Sequence, residues 1–170
     1  SGWSDAVLFS RAHDAGQDFE TLVELNDLAL ALSPSRERQL ETAALGNAFI
    51  KATGDVWAWP GIDRFTKALG EAITYPIAVG VASSGHGIKK DDALLAFLHG
   101  FAANLVSAGV RLIPLGQTAG QQVQRDLENP ITRTVGRATR AGIDDLGSAA
   151  ILSDIASMKH ETQYTRLFRT

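Results

Sequence analysis

Residue types able to do chemistry are present in this chain, but their spacing does not assemble a known catalytic device. A phosphate-binding loop needs Lys and then Ser or Thr after its second glycine. The ammonium reaches the outer phosphates and the hydroxyl reaches Mg²⁺. The nearest approach, Gly80–Gly87 (GVASSGHG), has His86 and Gly87 there instead. A hydrolase elbow needs glycines two residues before and two after its serine, and none of Ser83, Ser84 and Ser107 has both. There is no His-Glu-x-x-His, and the absence of cysteine excludes a Cys nucleophile, thiolate zinc sites and disulfides. His13, His86, His99 and His160 fall on different predicted elements. A metal site would need folding to gather these four, and the plainer reading is of surface or half-buried histidines. His160 and Glu161 are adjacent, so on a helix they point about 100° apart and chelate poorly. No catalytic residue, metal site or cofactor is assigned.

Two segments are better suited to binding. Gly100, Asn104, Ser107 and Arg111 recur at helical spacing, forming a narrow line of small and polar groups on an otherwise apolar stretch. Two readings stand: a dimer or partner face, or an internal seam with Arg111 paired to a carboxylate and Asn104 bonded to a loop carbonyl. The second segment is the carboxyl end, HETQYTRLFRT, with Tyr164, Arg166, Leu167, Phe168 and Arg169. Aromatic and guanidinium groups together are typical interface anchors. Composition alone leaves a tail folded back over its own body as the other reading.

The elements that position these residues read as helices throughout. Apolar spacing is of the three-and-four kind, with no sustained alternation, so strands have no support. The spacing predicts helices near Ser4–His13 and Asp18–Leu32, and a third capped by Ser33 with Pro34 in its first turn and stopped by Gly54. Short helices follow at Ile62–Gly70 and from Pro76, with Tyr75 kept extended by the proline after it. The long apolar stretch Asp91–Ile113 predicts the central helix of a bundle, ended by Pro114 and Gly116. Thr118 and Gln121 form a capping-box signature, Pro130 breaks or restarts that helix, and Ser153 and Asp154 cap a last one.

The 170 residues, 45% apolar and 21% charged, predict one all-α domain spanning residues 1–170: a helical bundle with a docking tail at 154–170. The net charge of −3 divides into −5 over residues 1–110 and +2 over 111–170. That is too little positive charge for a nucleic-acid footprint. No run of about 18 consecutive apolar residues and no basic-then-apolar leader is present, so neither a membrane nor secretion is expected. A cytoplasmic location fits.

Four stretches then carry a resemblance: Asn104–Gln121 (NLVSAGVRLIPLGQTAGQ), Asp154–Arg169 (DIASMKHETQYTRLFR), Ser35–Ile50 and Tyr75–Ile88. In this order they resemble the urease accessory protein F family (UreF). The resemblance implies an all-α, non-enzymatic chaperone or scaffold that forms a homodimer. It implies partners too: accessory protein D (H in some species), the GTPase accessory protein G and apo-urease, in the complex that loads nickel. Carried over by position, the tail motif falls on Tyr164, Arg166, Leu167 and Phe168, which would order against protein D with Arg166 holding the turned tail. The central-helix motif falls on Asn104, Ser107 and Arg111, near which the dimer contact is placed. Relatives normally carry an amino-terminal helical segment upstream of SGWSDAV, so the chain resembles a truncated member with part of its G-protein surface missing. Two further roles remain open: regulation of the partner's GTP hydrolysis, through Arg111 or another exposed arginine, and direct nickel carriage by His86, His99 or His160.

Overall fold

The computed structural model describes residues 2–113, 115–147 and 150–161. Among them the chain is all α. In order come α1 (Gly2–Ala15), α2 (Phe19–Ala31), α3 (Arg36–Val56), α4 (Ile62–Leu69), α5 (Tyr75–Gly85) and α6 (Lys90–Leu112). α7 (Gln117–Asp126), α8 (Glu128–Ala138), a single 3-10 turn at Ile143–Asp145 and α9 (Ile151–Glu161) complete the set. The all-α, single-domain expectation holds.

Local chemistry sets most of the boundaries. Asp18 caps α2 by accepting from the Thr21 N–H at 3.3 Å, while the Thr21 hydroxyl donates to its other oxygen at 2.7 Å. These bonds hold the Asp18 carboxyl below its usual range. Gly70, at φ +68°, ends α4 in a conformation that suits glycine.

Several predicted signals give way to neighbours. Ser35, not Ser33, caps α3, accepting from the Arg38 N–H at 3.3 Å; the Ser33 hydroxyl instead donates to the Ala29 carbonyl. Gly54 does not stop α3, which continues to Val56 with Ile62 packed over that glycine. The extended residue before α5 is Thr74, and Tyr75 is already helical. Thr118 makes no capping bond, because α7 begins earlier, after Gly116. α9 likewise starts at Ile151, ahead of Ser153 and Asp154. Pro130 sits in the first turn of α8, where its missing N–H is harmless, so the restart occurs two residues before it.

Two apolar clusters share α1. Leu8 and Ala12 join Leu22, Leu25, Phe65, Ile77 and Val81 on one side; Ala6, Val7 and Phe9 join Leu94, Leu98, Ile131 and Val135 on the other. The centre of the fold is therefore the α1–α5 pair, and the expected central helix, α6, lies to one side with only Ala93, Leu94, Leu98 and Ala102 buried. By length and apolarity α6 could cross a bilayer, yet it packs on α1, α5, α7 and α8. Gly80 permits the close central pairing: a Cβ there would come within 2.7 Å of the Phe9 carbonyl oxygen.

Two asparagines fasten the connection into α5. Buried Asn26 donates to the Ala72 carbonyl at 2.9 Å and accepts from the Thr74 N–H at 2.8 Å and the Thr74 hydroxyl at 3.0 Å. Asn47 donates to the Glu71 carbonyl and accepts from the Ile73 N–H. A backbone run without helical bonds is thereby satisfied as it passes from exposed Glu71 to buried Ile73 and Thr74.

Candidate docking surfaces

The outer half of α6, with α7, α8 and the start of α1, forms an apolar groove of about 1020 Å³. Leu98, Phe101, Leu105, Val106, Leu127 and Ile131 are among its walls. One end is closed by Trp3, whose indole N–H donates to the Asp145 carbonyl at 2.8 Å and whose ring lies 5.0 Å beneath the Arg137 guanidinium. Leu105, Leu112 and Ile113 are all more than half exposed. Contiguous apolar surface of this extent is what interfaces are made from. Sequence reading took the apolarity of α6 as a sign of all-round burial, and the groove accounts for the difference: part of that apolar face meets no described residue.

Asn104, Ser107 and Arg111 are exposed, as is Gly100. At about 100° per residue they lie roughly half a turn round α6 from the groove-lining Leu98, Ala102, Leu105 and Gly109. The internal-seam reading of this line is therefore corrected. The seam would need buried partners, whereas these side chains point to solvent.

α9 presents the third surface. Asp154, Ser157 and His160 are half-buried against the body, while Ile151, Leu152, Ile155 and Met158 are exposed, Leu152 at 84%. The Ser157 and Ser35 hydroxyls lie 2.8 Å apart, and His160 Nδ1 lies 2.8 Å from Glu37 Oε2. A small polar hollow of about 100 Å³ between α1, α3 and α9 is lined by Ser4, Asp5, Arg38, Thr42 and Asp154. Burial raises the Asp5 carboxyl above its usual 3.8, with Arg38 pulling the other way. Tyr164, Arg166, Leu167, Phe168 and Arg169 lie outside the described residues.

The histidines face separate surroundings. His13 Nε2 is 2.8 Å from the Ile88 carbonyl oxygen, His86 packs its ring 5.8 Å from that of Trp59, and His160 meets Glu37. Among the described residues no group of three or more His, Asp and Glu side chains is arranged to hold a metal ion.

The described residues form an all-helical body with apolar surface open on α6 and α9. Comparison with known proteins places it more closely. A family model described as UreF matches residues 1–128. The chain is 50% identical over 172 residues to the urease accessory protein UreF of Bradyrhizobium sp. strain BTAi1, covering 100% of this chain and 71% of the relative. It is 48% identical to the UreF of Rhodopseudomonas palustris strain TIE-1, with 72% of that relative covered. To the UreF of Rhizobium johnstonii it is 45% identical over 170 residues, 74% of that relative. The chain belongs to the UreF family of urease accessory proteins.

Proposed function

We propose that this chain is a non-catalytic scaffold in the cytoplasmic complex that inserts nickel into apo-urease, a homodimer that bridges accessory proteins D (H in some species) and G. The observation that carries the reading is α9, a helix with its apolar residues outward; in the sequence the motif Tyr164, Arg166, Leu167, Phe168 and Arg169 follows it. Apolar groups held in water favour a partner that removes them from it. The tail is the site for protein D. Self-association is assigned to the outer half of α6, where Asn104, Ser107 and Arg111 are exposed. Nickel is cargo, moved by proximity of the assembled partners.

The test is capture of protein D by this chain after Arg166→Ala or removal of residues 164–170. Capture is lost while the helical circular-dichroism signal stays; retained capture refutes the reading. A second reading, regulation of the GTPase by an inserted arginine, draws on the exposure of Arg111. Here Arg111→Ala lowers GTP turnover of protein G in the assembled complex, and unchanged turnover leaves scaffolding alone.

A further inference from the structure

The groove beside α6 has one closed end, and an uncommitted cation stands there. Leu98, Phe101, Leu105, Val106, Leu127 and Ile131 give the groove apolar walls. Its volume, about 1020 Å³, is that of a ligand site, and such sites carry a few polar groups that fix the orientation of what they hold. Two charged residues belong to the described walls, Arg137 and Asp145. Asp145 is already engaged: its carboxylate accepts from the Gly142 N–H at 2.9 Å, and its carbonyl accepts from the Trp3 indole at 2.8 Å. Arg137 is exposed, with its guanidinium 5.0 Å from the centre of the Trp3 ring. Among the described residues no ion pair or side-chain hydrogen bond involves it. Its N–H donors are therefore open to an anion.

We propose that this groove binds a free long-chain carboxylate, its hydrocarbon along α6 and its head at Arg137. Apolar walls favour a chain that leaves water, and a guanidinium presents its donors in a fork that matches a carboxylate. Length agrees with this. The α6 wall from Leu98 to Gly109 runs about 16 Å at the helical rise, the reach of an extended chain of about a dozen carbons. The closed end selects this occupant over a docked helix. A helix lies along a groove with its apolar anchors spread over the whole length, whereas a chain with one charged head needs one charged end. Asn104, Ser107 and Arg111, to which self-association is assigned, lie about half a turn round α6, so the groove stays open beside that contact. Binding here requires neither protein D nor protein G.

Calorimetry of the full chain with laurate, held below its micelle concentration, tests this. Laurate binds at one site per chain, roughly tenfold or more tighter than octanoate, because each methylene laid against the walls adds affinity. Arg137→Gln weakens laurate roughly tenfold and leaves dodecanol unchanged, since the alcohol carries no charge. Arg137→Lys stays within about threefold of the starting chain, because the positive charge remains. Leu105→Asp, at an exposed position, weakens laurate and dodecanol alike by about tenfold or more. Without ligand, the helical signal and melting temperature of these variants match those of the starting chain. Equal binding of laurate and dodecyltrimethylammonium, or laurate affinity left intact by Arg137→Gln, overturns the proposal. So does laurate that fails to bind; if Leu105→Asp then lowers self-association in light scattering, a second copy covers the groove. Uptake on anionic phospholipid vesicles without binding of free laurate makes this face a membrane contact and equally defeats the carboxylate site.

Discussion

α5 and α9 are both helices of 11 residues, and they treat their apolar side chains in opposite ways. α5 buries Ile77, Ala78, Val81 and Ala82 against α1 and α3, so its apolar area is consumed within the chain. α9 spends its polar edge on the body and leaves four large apolar groups in water. The difference teaches that apolarity alone does not tell a helix that buries its apolar side from one that leaves it in water. What separates them is which edge carries the anchoring bonds.

The sharpest way to break this comparison is to truncate one side chain in each region. Phe9, fully buried beside α5 and α6, should cost about 3–5 kcal/mol on replacement by alanine, seen as a large fall in urea midpoint. Asn26→Ala strips partners from the Ala72 carbonyl and the Thr74 N–H, and a loss of about 2–3 kcal/mol is expected. Leu152→Ala should stay within about 0.5 kcal/mol, since its side chain is already in water. A loss comparable to that of Phe9 would mean that α9 is part of the core after all.

A fourth prediction sharpens the comparison at the hollow between the two regions. The Asp5 carboxyl is raised in the folded chain by burial, so the folded state holds its proton more tightly than the unfolded one. The stability this group contributes is present below about pH 4 and is lost as pH rises through the folded value. Asp5→Asn should therefore stabilise the chain at neutral pH, with the gain vanishing in acid; a pH series of melting temperatures checks it. The last prediction concerns Ser10→Ala. The buried Ser10 hydroxyl has no hydrogen-bond partner among the described residues, so its removal should be neutral or stabilising by up to about 1 kcal/mol, as denaturant titration would show.

Much of this architecture was legible in the residues. The three-and-four spacing gives the helices, and Asp18, Gly70 and Pro130 mark boundaries because each acts through its own backbone neighbourhood. Signals that depend on distant groups were not legible. Nothing local tells Ser33 from Ser35 as a cap, and the outcome follows the path of the chain into α3, where Ser35 also meets Ser157. Asn26 reads as an ordinary polar residue until the connection into α5 arrives beside it. α6 looked central because its apolar groups were counted without knowing that part of them line an open groove. The direction of the apolar face of α9 depends on Glu37 and Ser35, more than a hundred residues away.

The most direct measurement is light scattering of this chain with and without purified protein D, before and after removal of residues 164–170. A self-associated chain that binds protein D stoichiometrically, and loses that binding alone when shortened, is the expected result. A chain that stays monomeric, or takes up protein D equally well without its tail, would contradict it.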